Sequence, residues 1–225
     1  SDLPLLCIDV DGVISLFGFE ETPVAPAVTF TLIDGSPHMI APEAGSRIQR
    51  LCRAFEPVWA TGWEERANDR LPEVIGVGPL PVIHFGGIDR FSNAHWKLAG
   101  IDRFAGDRPL AWIDDSFDVS CFEWSKQREA AGSATLLVPT DPSIGIEEAH
   151  VNAMEIWAED LQSTSANLDS SGEQLLAQSW GTSHTAGKAR RIVNWKNLAS
   201  WTNARLDQKL CAGDLAGLAH LSESQ

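Results

Sequence analysis

The sequence predicts an α/β fold, a doubly wound, mostly parallel, Rossmann-like sheet flanked by helices. Two features of the chain predict it. Short apolar runs recur at residues 5–8, 57–61, 82–85, 110–113 and 135–138, and stretches with apolar residues at helical spacing separate them. Strands that alternate with helices in this way make a parallel sheet with crossover helices. The runs also end in chemistry-bearing residues, Asp9, Thr61 and Asp114, where open α/β sheets hold their ligands.

The first run leads into Asp9-Val10-Asp11-Gly12. In an extended chain Asp9 and Asp11 share a face, and Gly12 lets the backbone turn sharply and come close to a ligand. Such an edge suits a phosphate and a divalent cation. A helix-loop-helix calcium loop starting at Asp9 would need a polar fifth residue and a glycine sixth, but Val13 and Ile14 stand there. Residues 15–27 read as irregular, with Pro23 and Pro26 opposing helix. Residues 28–33 alternate, Asp34-Gly35 is a turn signal, and residues 38–41 return, so a small β-hairpin flap is expected over 28–41, just after strand 1. A helix follows over 42–55, with Ala44, Ile48, Leu51, Cys52 and Phe55 on one face and Pro42 in its first turn. Residues 57–61 form a strand entering Thr61-Gly62-Trp63, followed by a helix over 64–71. A strand over 82–85, the Gly86-Gly87 loop and a short helix near 93–99 bring the chain to the strand over 110–113, which ends in Asp114-Asp115. Helix 116–131, strand 135–138 and an amphipathic helix over 146–161 complete this part.

Charge and composition divide the chain. The first 161 residues carry 11 Lys and Arg against 26 Asp and Glu, a balance of −15, whereas the rest carry 6 against 5, a balance of +1. An α/β domain is therefore expected over 1–161, a Ser/Thr/Gly/Gln-rich linker over 162–187 and a helical C-terminal extension over 188–225, where Ile192, Trp195, Leu198, Thr202, Leu206 and Leu210 keep helical spacing. A net charge of −14 disfavours nucleic-acid and membrane-surface partners, both polyanionic. The extension offers a surface for self-association or partner docking. Its Lys188, Arg190, Arg191 and Lys196 beside Trp195 read first as a charged helix face. Cys7, Cys52, Cys121 and Cys211 have neither zinc nor disulfide spacing, and no apolar run is long enough for a membrane span, so a cytoplasmic setting is expected. P-loop, G-x-S-x-G and H-E-x-x-H patterns are absent.

The ordered pieces Asp9-x-Asp11-Gly12-Val13, Thr61-Gly62, Lys97 and Asp114-Asp115 resemble the haloacid dehalogenase-like superfamily of aspartyl phosphatases, in a compact form without a large cap. The resemblance covers about residues 5–161. It implies a Mg²⁺-dependent hydrolase of a small phosphomonoester, with Asp9 as nucleophile and Asp11 as general acid and base. It further implies Thr61, Gly62 and Lys97 as phosphate-binding groups. The metal ligands it implies are Asp9, the Asp11 backbone carbonyl, Asp114 and Asp115, with Asp118 a second way to complete the set. Superfamily members that displace halide lack an acid at the Asp11 position, so its presence favours phosphoryl chemistry.

Other readings keep the same fold. One is a non-catalytic binding or regulatory protein that uses the flap and extension; another is a phosphotransferase or a phosphatase of nucleic-acid ends. His95 reads as a packed or surface histidine that could touch substrate. Trp63 and Trp96 read as core aromatics that could wall a pocket.

Overall fold

The computed structural model describes residues 3–21, 23, 28–86 and 95–178, without the side chains of 165–178. The chain divides into two units, Ser1–Gln174 and Leu175–Gln225. All but the first few residues of the second unit, including the expected extension over 188–225 and its basic patch, lie outside the described residues.

Four parallel strands make the central sheet: β1 (Leu5–Ile8), β5 (Glu56–Trp59), β6 (Leu110–Asp114) and β7 (Thr135–Pro139), in the order β5-β1-β6-β7. Leu5 pairs with Glu56 on one side and Leu110 on the other, and Ile8 pairs with Trp59 and Ile113. Every residue of β1 and β6 is buried, which explains their uninterrupted apolar runs: a parallel sheet is covered on both faces.

Alternation along the strands sorts the core into two halves. Leu6, Ile8, Ala111 and Ile113 face a cluster containing Ile48 and Leu51 of α1 (Ala44–Leu51), Leu71 of α2 (Glu65–Ile75) and Val151, Met154 and Trp157 of α5 (Glu148–Gln178). Leu5, Cys7, Leu110 and Trp112 face the other, with Leu98 and Ile101 of α3 (Leu98–Ala105) and Cys121 of α4 (Val119–Ala130). Helices therefore cover both faces. Fully burying a side chain such as Ile8 or Ile101, both 0 % exposed, contributes about 1.5–3 kcal/mol.

The expected flap is present as β3 (Thr29–Ile33) and β4 (Ser36–Ile40), joined at Asp34-Gly35 with φ of 53° and 79°. Two positive φ values in a row fit the two-residue turn whose twist matches antiparallel strands. The stretch expected to be irregular adds β2 (Ser15–Leu16) to this sheet, in the order β2-β4-β3. Two residues are too short for a periodic signal, so only tertiary pairing reveals that strand.

Several element ends shift by two to four residues, as in α2, which runs to Ile75 rather than 71, and three other differences are larger. The run at 82–85 makes a single parallel bridge, Trp59 to Val82, closed by bonds from Trp59 N to Pro81 O and from Ile83 N to Trp59 O, each 2.9 Å; Pro81 itself has no N–H to offer a ladder. The helix expected near 93–99 begins at Leu98 and runs to Ala105, with residues 93 and 94 outside the described residues. Helix α5 continues to Gln178, through most of the segment read as a linker. No proline interrupts residues 148–178, and once a helix is nucleated each added residue closes another hydrogen bond, so a polar composition does not end it.

Candidate active site

Asp9 follows β1 directly and still donates its N–H to Ile113 O (3.1 Å), so it is held at the C-terminal edge between β1 and β6. Asp11 is placed differently from the expectation of a shared strand face. Strand pairing ends at Ile8, and the Val10 carbonyl accepts from Ile14 N (2.8 Å) and Ser15 N (2.9 Å), curling the chain into a turn. Asp9 is buried there and Asp11 exposed.

Three acids gather at this edge. Asp9, Asp114 and Asp115 each offer a carboxylate oxygen, all within 4.8 Å of one another. Asp114 is the last residue of β6 and 1 % exposed. Lys97, in the turn that enters α3, brings Nζ 2.7 Å from Asp9 Oδ2 and 2.6 Å from Asp114 Oδ2. Asp114 Oδ2 also accepts from Trp112 Nε1 (3.0 Å), and Oδ1 accepts from Ser116 N (3.0 Å). Thr61, fully buried beyond the end of β5, accepts from Trp63 N at Oγ1 (3.3 Å) and keeps its own hydroxyl proton to donate. Gly62 is exposed, and a Cβ there would lie 3.5 Å from the Trp96 ring.

One ammonium among three carboxylates leaves the cluster with an excess of negative charge in a buried place. Burial, with the Asp114 charge added, pushes the Asp9 carboxyl up to about 7 despite Lys97 beside it. Burial also raises Asp115, and Asp114 adds to the shift. For Lys97 burial works toward the neutral amine, but Asp9 and Asp114 outweigh it and hold the ammonium above its ordinary range. Such a site carries less positive charge than its carboxylates call for, and its oxygen donors could hold a hard cation.

Gly12 has φ +74°, and a Cβ on it would lie 2.5 Å from Asp115 Cγ. At this glycine the group that comes close is the carboxylate of the loop after β6. Thr140, just past β7 and 4 % exposed, fastens both loops: its N–H donates to Asp114 O (3.0 Å) and its hydroxyl to Gly12 O (2.8 Å).

Asp118 stands apart from the group of Asp9, Asp114 and Asp115. It caps α4, accepting at Oδ1 from Ser120 Oγ (2.5 Å) and Cys121 N (3.2 Å); burial opposes its ionisation, but these donors hold its carboxyl below the usual range. Between Asp115 and Asp118, the geometry groups Asp115 with the other two acids. His95 is half-buried, accepting from Lys97 N at Nδ1 (3.3 Å) and edge-on to Trp112 at 5.3 Å. A concavity of about 360 Å³ between β3 and α2, lined by residues 29–34, Arg70, Glu73 and Val74, shares no residue with the acidic group. It lacks that group's convergence of buried charges.

Trp112 and Thr140 bear on the site and were not singled out from the sequence, whereas Trp63, read there as a core aromatic that could wall a pocket, bonds the Asp11 carboxylate. The Trp63 and Thr140 bonds cross between loops and depend on loop conformation, which no sequence period encodes, whereas Trp112 reaches Asp114 along one face of β6. Compared with known proteins, the chain matches no family model and no curated protein.

Proposed function

We propose that this chain is a Mg²⁺-dependent phosphomonoester hydrolase of the haloacid dehalogenase-like type, working through an aspartyl-phosphate on Asp9. The observation that carries the reading is the buried Lys97 bound to both Asp9 and Asp114, with Asp115 beside them, at the ends of adjacent parallel strands. Counting the Val82 bridge, the parallel segments follow the order Val82-β5-β1-β6-β7. Numbered by position in the chain this is 3-2-1-4-5, the order of Rossmann-like sheets, whose ligands bind where the order reverses, beside β1.

In this mechanism an Asp9 carboxylate oxygen attacks phosphorus while the bond from phosphorus to the ester oxygen breaks, and Asp11 gives that oxygen its proton. Asp11 then takes a proton from water, the water oxygen attacks phosphorus, and inorganic phosphate leaves with Asp9 regenerated. Lys97 and the hydroxyl of Thr61 hold the phosphoryl oxygens, and the backbone N–H groups near Gly12 and Gly62 add donors. Asp9, Asp114, Asp115 and the Asp11 carbonyl would hold Mg²⁺, which would supply the positive charge that a carboxylate needs to approach a phosphate dianion. The acidic composition favours small substrates over polyanions. Free thiols at Cys7, Cys52 and Cys121 fit the reducing cytoplasm proposed for it, and among the described residues no helix is long and apolar enough to cross a membrane.

A screen of small phosphate esters, with and without Mg²⁺, tests the reading. Turnover is expected from the native chain with Mg²⁺ and is expected to fall to background in Asp9→Asn. Activity that survives Asp9→Asn, or is indifferent to chelator, overturns it.

A further inference from the structure

We infer that Trp63 is a positioning residue for Asp11, aiming the carboxyl that protonates the leaving group. The inference rests on the phosphatase reading above. Trp63 Nε1 donates to Asp11 Oδ2 at 2.8 Å, across a separation of 52 residues in sequence. Asp11 is exposed, and an exposed carboxylate without such a partner would sample several rotamers. An indole nitrogen only donates. It therefore fixes Oδ2 as the acceptor and leaves Oδ1 as the oxygen that carries the proton to the ester oxygen when the bond from phosphorus breaks.

The indole is itself held on two sides. His38 of β4 meets it edge-on at 5.1 Å, and Arg66 of α2 lies over it at 5.3 Å. His38 is anchored in turn, with Nδ1 2.9 Å from Ser15 Oγ on the neighbouring strand β2. Trp63 is only 9 % exposed, so its ring cannot swing freely. The flap thus braces the residue that orients the acid.

Leaving-group chemistry separates positioning from mere packing. A nitrophenolate departs without a proton, whereas an alkoxide needs one, so an aimed acid matters for alkyl phosphates and little for activated aryl phosphates. In Trp63→Phe we expect kcat on a simple alkyl phosphate to fall about tenfold or more, out of the roughly 10²–10⁴ that a positioned proton donor contributes. On 4-nitrophenyl phosphate it should change by less than about threefold, and KM should change little on either ester, since P–O binding is untouched. A chain carrying benzothienylalanine at position 63, equal in shape but without the N–H, should behave in the same way and guards against a folding defect in the phenylalanine variant. Independently of turnover, the indole N–H proton resonance of Trp63 should shift in Asp11→Asn. Equal losses on both esters, or an indole resonance that ignores Asp11→Asn, overturn the inference alone. A native chain inactive on every ester removes the phosphatase reading and the inference with it, even if the indole resonance responds.

Discussion

Lys97 compensates two buried carboxylates at once. Removing one partner of such a group is more damaging than never having built it, because the remaining charges are left unpaired in a poor solvent. Lys97→Met is expected to destabilise the metal-free chain by about 3–5 kcal/mol at pH 8, read from urea unfolding, and to abolish turnover. Asp9 sets a second expectation. Its folded pKa is about 7 against an ordinary 3.8, so between these values the folded chain keeps a proton that the unfolded chain has released. The stabilising contribution of this group is complete below about pH 4 and is lost as pH rises through about 7. A bound cation favours the ionised form, so the gain in melting temperature on adding Mg²⁺ should grow from pH 5 to pH 8 and be lost in Asp9→Asn. A gain that is flat with pH would show that Asp9 does not titrate against the metal. At this scale Asp9, Asp114, Asp115 and Lys97 were legible, since acids after apolar runs and a Lys in the right order are sequence features. The exposed setting of Asp11 was not, because the strand stops before it.

The elements that position these residues depend on a few close contacts. Helices α1 and α2 meet where a Cβ on Gly45 would lie 2.1 Å from the Ile75 carbonyl oxygen. Gly45→Ala must therefore push the helices apart, and a loss of about 1–3 kcal/mol is expected, seen as a lower urea midpoint. Helix propensity alone would favour the alanine by about 1 kcal/mol, so the sign of the change decides between packing and propensity. Gly12→Ala combines a left-handed backbone with a 2.5 Å clash on Asp115. It should leave the melting profile cooperative but remove the Mg²⁺-dependent gain. The strands β1, β5, β6 and β7 and the flap turn were readable from apolar runs and from Asp34-Gly35. Three features were not. Strand β2 is two residues long, the bridge at Val82 replaces a full strand because Pro81 cannot donate, and α5 outruns a polar composition that suggested a linker. Each is decided by partners distant in sequence or by helix cooperativity, to which local composition is blind.

For the whole molecule, every residue assigned to the site lies within the unit Ser1–Gln174. A chain ending at Gln174 is therefore expected to keep the Mg²⁺-dependent rise in melting temperature and turnover of small esters; loss of either would give the remainder of the chain a part in the chemistry. The α/β class with its parallel sheet was legible at this scale because a parallel sheet buried on both faces writes itself into the sequence as apolar runs spaced by amphipathic ones. The site is stitched from three separate returns of the backbone: Gly12 meets Asp115, and Thr140 ties the carbonyls of Gly12 and Asp114. A cation held by the proposed site would find its nest only after the last of these crossings is laid down, as a seal on a finished product rather than as a seed. Magnesium should accordingly leave the refolding rate nearly untouched while slowing unfolding, so that the cation lengthens the lifetime of the assembled protein without hastening its birth.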